Sequence, residues 1–180
     1  MDARKVINVD GRCLQDPGYR SSGIGTYARW LFTTLLDARR FSVRLALPDD
    51  DRSPAELPAD LQFDTIPFHA MDSGIYLNPS QMTHDSEPQE RAASRGLATV
   101  GVMHDLIPLR RPAESSDYDR RLFGRMLDKS RELDGIVTNS LCTLTDYRAW
   151  RGPELPMFVL HPASRFGAAA SPGDEPRTGF

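Results

Sequence analysis

The sequence predicts an α/β protein built on an open, mostly parallel sheet with helices on both faces. Short, nearly continuous apolar runs recur along the 180 residues, and strands that are buried on both faces of a parallel sheet have this composition. Segments with a helical spacing of apolar residues lie between these runs. An alternation of strand and helix along the chain is typical of an open α/β fold.

Four apolar runs are the strongest strand candidates, and a fifth, shorter run adds to them. The four are VINV (6–9), VRLAL (43–47), TVGVM (99–103) and FVL (158–160), and the fifth is GIV (135–137). Two further segments, FDTIPF (63–68) and IYL (75–77), are weaker candidates. The first of these is limited by its proline, which cannot donate a hydrogen bond to a neighbouring strand.

Three segments have the periodicity of amphipathic helices. The first places its apolar residues on one face, at Ile24, Tyr27, Ala28, Leu31 and Leu35. The second has a similar spacing at Tyr118, Leu122, Met126 and Leu133. The third helix is predicted from about Leu141 to Trp150, with Ser140 as its N-cap.

The remaining segments predict loops and a domain boundary. Residues 48–60 are acidic and rich in proline, which favours a solvated loop, and residues 78–96 are polar and long for a connection, which suggests a functional or mobile segment. Residues 167–179 have the composition of a linker. We therefore expect one domain over residues 1–166, followed by a linker over 167–180.

The composition excludes several classes of function. A formal net charge of −3 gives no basic field for nucleic acid or anionic lipid. No apolar run approaches the roughly 18 residues of a membrane-spanning helix, and the N-terminus lacks the apolar region of a signal peptide. Cys13 and Cys142 have no metal-type spacing, which predicts reduced thiols in a cytoplasmic protein. The scattered histidines predict no metal site.

Polar residues follow several of the predicted strands, at the edge where open parallel sheets bind ligands. Asp10 ends the first strand, His104 and Asp105 follow TVGVM, and Ser140 comes shortly after GIV. The first helix begins at the same edge with Gly23 and Gly25. Its free N–H groups and positive dipole end predict a seat for a phosphate group.

The two glycines leave three interpretations open. Gly23, Gly25 and Ala28 fit the G-x-G-x-x-G/A pattern of a dinucleotide site, with Asp49 near the expected ribose-binding position. That pattern needs its glycines directly after the first strand, however, and residues 11–22 intervene. The glycines could instead simply allow a loop to turn into a helix. The third interpretation is a phosphate seat in a nucleotide-sugar enzyme.

Four segments together resemble the N-terminal domain of family 4 glycosyltransferases, which have the GT-B fold. They are INVDGRCLQDPGYRSSGIGTYARWLFTTLL, VGVMHDLIPLRRP, DGIVTNSLCTLTDY and VLHPASRF, and they occur in the family's order over about residues 6–166. The resemblance implies a Rossmann-like domain that forms one side of an interdomain cleft. It implies further that the reaction retains anomeric configuration and needs neither a metal nor a cofactor beyond the nucleotide-sugar donor.

The resemblance also implies roles for individual residues. His104 would contact the transferring sugar as a catalytic residue, with Asp105 beside it, although an aspartate at this position often bonds the backbone of its own turn. The implied substrate- and diphosphate-binding residues are Asp10, Arg20, Gly23, Gly25, Arg110 and Ser140. Each has a simpler structural interpretation as well: solvated arginines, a helix cap at Ser140 and a turn at Asp10. The acidic run Asp49–Asp51 is interpreted as exposed rather than as an Asp-x-Asp metal motif.

The implied function is glycosyl transfer from a nucleotide sugar to a glycan or glycolipid acceptor. A glycolipid acceptor would bring the enzyme to a membrane surface. The family's second domain, which holds most of the donor, lies outside these residues, so we expect the 180-residue chain alone to be inactive. An NAD(P)-dependent oxidoreductase domain and a non-catalytic docking module remain as alternatives.

Overall fold

The computed structural model describes residues 4–48, 63–80 and 86–162 of the chain. At its centre is a seven-stranded sheet in which every neighbouring pair of strands is parallel. In chain order the strands are β1 (Lys5–Asp10), β2 (Phe41–Leu47), β3 (Thr65–Pro67), β4 (Ile75–Asn78), β5 (Ala98–Met103), β6 (Gly135–Thr138) and β7 (Met157–Val159).

The order of the strands across the sheet is β3-β2-β1-β4-β5-β6-β7. The chain builds outwards from β1 through β2 to β3, then returns to the other side of β1 with β4 and continues outwards to β7. The direction of building therefore reverses between β1 and β4. In doubly wound sheets a ligand crevice lies outside the carboxyl ends of the strands at this reversal.

The longer helices connect the strands, and short helical turns follow several strand ends. They are α1 (Arg12–Gln15), α2 (Pro17–Arg20), α3 (Gly23–Asp37), α4 (Glu87–Ser94), α5 (Ile107–Arg110), α6 (Asp117–Lys129) and α7 (Leu141–Arg151). Single 3₁₀ turns lie at Phe68–Ala70, Pro112–Glu114 and Ser130–Glu132.

Alternate residues of the strands bury two separate apolar layers. On one face Val9, Leu45 and Val102 pack with Leu31 and Phe32 of α3. On the other face Met103 and Ile136 pack with α6 and α7, and Tyr76 packs with Ala92 of α4. Helices thus cover both faces of the open parallel sheet, and the predicted Rossmann-like α/β fold is confirmed.

The strand predictions were least accurate at the ends of the sheet and at its centre. The weak candidate IYL became β4, which lies between β1 and β5, and its Tyr76 is fully buried. The strand predicted at FVL (158–160) lies one residue earlier, at Met157–Val159, and the prediction that it is buried on both faces was wrong. Because β7 is an edge strand, Met157 is buried while Phe158 remains 63% exposed. The proline-containing β3 is the other edge strand, where Pro67 is tolerated.

The helix predictions identified α3, α6 and α7 and missed α4. The expectation of an irregular segment over 78–96 was wrong for Glu87–Ser94. Its buried residues are Pro88, Gln89 and Ala92, so it has no apolar stripe for the sequence to reveal. In α6 the prediction that Tyr118 faces the core was also wrong, since this side chain is 62% exposed, and Leu133 lies buried beyond the end of the helix.

Several predicted features lie outside the described residues. These are the linker over 167–180, the last residues of the predicted domain, most of the acidic loop 48–60 and the run Asp49–Asp51. The long polar segment 78–96 is described except for residues 81–85.

Candidate functional site

The site is built around the carboxyl ends of β1 and β4, where the strand order reverses. Asp10 is the last residue of β1 and is 1% exposed. Asn78 is the last residue of β4, and its Oδ1 atom accepts a hydrogen bond from the N–H of Ser80 at 2.9 Å. His104 follows β5 directly, so the ends of three adjacent strands bring polar residues to one edge.

The Asp10 carboxylate is held by two neighbouring side chains. Arg12 donates to it through Nε, at 3.1 Å from both carboxylate oxygens, and through Nη2, at 2.7 Å from Oδ2. The Tyr76 hydroxyl donates to Oδ2 at 2.6 Å, and the guanidinium of Arg12 lies over the Phe68 ring at 5.3 Å. Burial, followed by the negative charge of Asp10, raises the pKa of Tyr76 well above its usual value, so this hydroxyl remains a donor.

The two glycines at the start of α3 have different surroundings. A Cβ added at Gly23 would meet no atom within 4 Å, whereas one added at Gly25 would lie 2.3 Å from the Tyr19 carbonyl oxygen and 2.6 Å from the Arg20 Cα. Gly25 therefore permits the close approach of α2 to α3. A ligand is not needed to explain its lack of a side chain.

The N-terminus of α3 also has an internal cap. The Ser22 hydroxyl accepts hydrogen bonds from the N–H groups of Ile24 and Gly25, at 3.2 and 3.4 Å. Ser22 thereby satisfies N–H groups that a phosphate would otherwise bind. An anion at this helix start would have to compete with the Ser22 hydroxyl.

Tyr27 of α3 joins the ends of β5 and β7. Its ring meets the His104 ring edge to face, with the ring centroids 5.1 Å apart. Its hydroxyl donates to the Leu160 carbonyl oxygen at 2.9 Å. The start of the first long helix, the residue after β5 and the residue after β7 are therefore in direct contact at one edge of the sheet.

His104 lies beneath the surface of this edge. It is 7% exposed, and its Nε2–H donates to the Pro79 carbonyl oxygen at 2.8 Å. Burial lowers the pKa of His104 from its usual value, and the hydrogen bond to Pro79 and the charge of Asp105 oppose this shift without reversing it. The ring is consequently neutral near pH 7.

The lowered pKa of His104 predicts a pH-dependent stability. Below pH 6.5 the unfolded chain binds a proton at this position more readily than the folded chain, so the free energy of unfolding falls as the pH falls. The slope from this single group is at most about 1.4 kcal/mol per pH unit. We expect His104→Gln, which keeps an amide donor for Pro79, to lose this part of the slope in urea unfolding at pH 5.5 and 7.5. His69→Gln retains His104 and should keep this part of the slope. Equal slopes in both variants would contradict the assignment of the pH dependence to His104.

Asp105 and Ser140 make the local backbone contacts that a turn residue and a helix cap would make. Asp105 Oδ1 accepts a hydrogen bond from the Ile107 N–H at 3.1 Å, within its own turn. Ser140 caps α7, since its hydroxyl accepts from the Thr143 N–H at 3.1 Å. The Thr143 hydroxyl in turn donates to the His104 carbonyl oxygen at 3.0 Å, which ties the start of α7 to the end of β5.

The two candidate arginines lie at the surface. Arg110 ends α5 and pairs with Asp146 of α7, while remaining 63% exposed in its side chain. Arg20 ends α2, is exposed, and its backbone is the surface against which Gly25 packs. Neither the pairing of Arg110 nor the packing at Arg20 involves Asp10 or His104.

Sequence reasoning assigned no role to two of the residues that organise the site. Tyr76 and Arg12 hold the Asp10 carboxylate, yet Tyr76 lay in a weak strand candidate and Arg12 followed an assumed turn. The signal that could have found Arg12 is its spacing, because a residue two positions beyond a strand-end aspartate can fold back onto it. Tyr27 was assigned to the helix face that packs in the core, and its hydroxyl contact with Leu160 had no sequence signal.

The described part of the chain, residues 4–48, 63–80 and 86–162, contains no group of three or more His, Cys, Asp or Glu residues arranged to hold a metal ion. Among the same residues, no helix is both long and apolar enough to cross a membrane. No protein-family model matches the chain, and no curated protein matches its sequence.

Proposed function

We propose that the chain is the N-terminal, acceptor-side domain of a retaining, metal-independent glycosyltransferase with the GT-B fold. The donor would be a nucleotide sugar and the acceptor a glycan or glycolipid. A second domain of the same enzyme would hold most of the donor. The proposal includes a cytoplasmic location, which the free thiols of Cys13 and Cys142 support.

The contact of Tyr27 with both His104 and Leu160 is the observation that carries the proposal. The segments GIGTY, MHD and VLHP, which carry part of the resemblance, are far apart in the sequence. The parallel sheet brings the ends of β5 and β7 to one edge, and Tyr27 joins them there to the first long helix. The centroid of the Tyr27 ring lies 5.1 Å from that of the His104 ring, and the Tyr27 hydroxyl donates to the Leu160 carbonyl oxygen at 2.9 Å. This convergence supports a shared wall at the carboxyl edge, next to the reversal of strand order.

The connection between β1 and α3 argues against a dinucleotide site. A dinucleotide fingerprint places its glycines in a tight turn directly between the first strand and its helix. Here α1 and α2 lie between β1 and the start of α3, and Gly25 packs against the α2 backbone. The glycines thus sit two short helices away from the end of β1.

The residues have the following parts in the proposal. His104 would stand close to the transferring sugar as a neutral group, with its Nε2–H already bound to Pro79. Arg20 and Arg110, both exposed, would lie at the rim, where Arg110 would exchange its ion pair with Asp146 for a phosphate-bearing ligand. Asp10, with Arg12 and Tyr76, would set the shape of the crevice floor.

Glycosyl transfer by the full product of the gene tests the proposal, with the 180-residue chain assayed beside it. A panel of UDP- and GDP-sugars with oligosaccharide and glycolipid acceptors would be followed by release of the nucleotide diphosphate. We expect turnover by the full product and none by the 180-residue chain, because the electrostatic stabilisation of the transition state that the second domain supplies would be absent. Turnover by the chain alone would contradict this division of labour.

His104→Gln supplies the residue-level test in the same assay. We expect kcat to fall by about 100-fold, the scale of one lost contact to the reacting charge. His69→Gln is the matched control, because His69 follows the distant edge strand β3. Unchanged turnover in His104→Gln would remove its catalytic role. Saturable binding of NADH without any glycosyl transfer would favour the oxidoreductase alternative.

A further inference from the structure

A cavity of about 180 Å³ lies on the face of the sheet that is covered by α4 and α6. Much of its lining is apolar and comes from β5, β6, α6 and the turn after α6: Met103, Leu122, Met126, Leu133 and Ile136. It is separate from the buried contact between Tyr27 and His104, neither of which lines it. An apolar cavity of about 150 Å³ in another protein is large enough for benzene.

Three polar side-chain atoms of the cavity lining have hydrogen-bond partners within the protein. Asn78 Oδ1 accepts from the Ser80 N–H, Gln89 Nε2 donates to the Lys129 carbonyl oxygen at 3.3 Å, and Ser130 Oγ donates to the Leu127 carbonyl oxygen at 2.6 Å. These atoms therefore do not need a hydrogen bond from a ligand. The cavity floor therefore favours an apolar group over a sugar, whose hydroxyls would need hydrogen-bond partners.

Two cations of α6 line the cavity, and they differ in their pairing. Lys129 lies 2.9 Å from a carboxylate oxygen of Glu90 and 3.4 Å from one of Glu132. Arg125 is exposed while it lines the cavity, which places it at the opening. Within residues 4–48, 63–80 and 86–162, no carboxylate oxygen lies within ion-pair distance of its guanidinium. An anion could therefore bind Arg125 without displacing a carboxylate of the described residues.

We propose that this cavity binds a small amphipathic carboxylate. Its apolar body, one aromatic ring or a short aliphatic chain, packs against Met103, Leu122 and Ile136. Its carboxylate accepts hydrogen bonds from the Arg125 guanidinium at the opening. The inference rests on the cavity alone and stands independently of glycosyl transfer.

Titration of the chain with 3-phenylpropionate and with its neutral amide tests the proposal. The two probes share an apolar body and differ in the charge of the head group. With ¹⁵N-labelled chain, NMR chemical shifts would report both the affinity and the position of binding. We expect saturable binding of the carboxylate with shifts at β5 and α6, and binding of the amide that is at least about tenfold weaker, since charge-assisted hydrogen bonds are the stronger ones. Equal affinities, or no saturation by the carboxylate up to about 10 mM, roughly ten times a millimolar Kd, would overturn the proposal.

Two variants locate the binding. Arg125→Gln should weaken the carboxylate about tenfold and leave the amide unchanged, while Arg121→Gln, an exposed arginine of the same helix outside the cavity lining, should change neither. Met126→Phe fills part of the cavity and should weaken both probes. Arg125 is exposed, so its variant decides the matter even where Met126→Phe fails to fold. Carboxylate binding that is unaffected by Arg125→Gln would overturn the proposal.

Discussion

Replacing Gly25 with alanine is expected to destabilise the protein by about 3 kcal/mol, the upper part of the range for overpacked sites. The new Cβ would lie 2.3 Å from the Tyr19 carbonyl oxygen and 2.6 Å from the Arg20 Cα. Both atoms belong to the backbone, so no side-chain rotation can relieve the clash. Either α2 moves away from α3 or the start of α3 shifts. Urea unfolding followed by circular dichroism measures the change.

Gly23→Ala is the matched control two positions earlier in the same helix. Nothing lies within 4 Å of a Cβ at Gly23, and alanine has the higher helix propensity. We expect this variant to be neutral or more stable by up to about 1 kcal/mol. If the two variants unfolded at the same urea concentration, the close approach of α2 to α3 would not be the reason for glycine at Gly25.

Replacing Asp10 with alanine is expected to cost at least about 3 kcal/mol, the range found when one partner of a buried ion pair is removed. The Asp10 side chain is 1% exposed and Arg12 is 16% exposed, so the remaining guanidinium keeps little access to water. The Tyr76 hydroxyl, which is fully buried, also loses its acceptor. Thermal and urea unfolding at neutral pH would measure this loss.

Two further variants make the Asp10 experiment specific. Tyr76→Phe removes only the hydroxyl that donates to the carboxylate and should cost about 1.5–3 kcal/mol, as expected for a hydrogen bond to a charged group. Asp72→Ala breaks an ion pair with Arg44 at 3.9 Å, but that carboxylate is 75% exposed, so we expect little change. A small effect of Asp10→Ala, similar to that of Asp72→Ala, would show that the buried network contributes little to stability.

The architecture could be predicted from the sequence because its main signals are local. Most residues of β2 are apolar, since its side chains pack into the layers on both faces of the sheet, and α3 has an apolar stripe because one side of it meets the sheet. The order of the strands could not be predicted in this way. It depends on β4, whose short sequence IYLN contains a fully buried tyrosine that packs against Ala92 and donates its hydroxyl to Asp10.

The candidate site was only partly accessible to sequence reasoning, for a related physical reason. The rule that strand ends meet at one edge brought Asp10 and His104 to the same side of the sheet. It could not show that Arg12 folds back onto Asp10, or that His104 is covered by Tyr27 and Pro79, since these contacts depend on side-chain packing between distant segments. The helix α4 was not predicted because its buried residues are Pro88, Gln89 and Ala92, which give no periodic apolar signal.

The arrangement of β1 beside β4 has a kinetic consequence. These central neighbours are brought together only after the chain has passed through β2 and β3, so Ile7 must find Ile75 across a long intervening segment. Closing such a loop costs entropy before the contacts compensate for it, and topologies rich in distant pairings fold slowly. During that delay the unpaired N–H and C=O groups along one edge of β1 are open to pairing with other chains. Refolding yield should therefore depend on protein concentration, whereas the folded molecule keeps this edge covered.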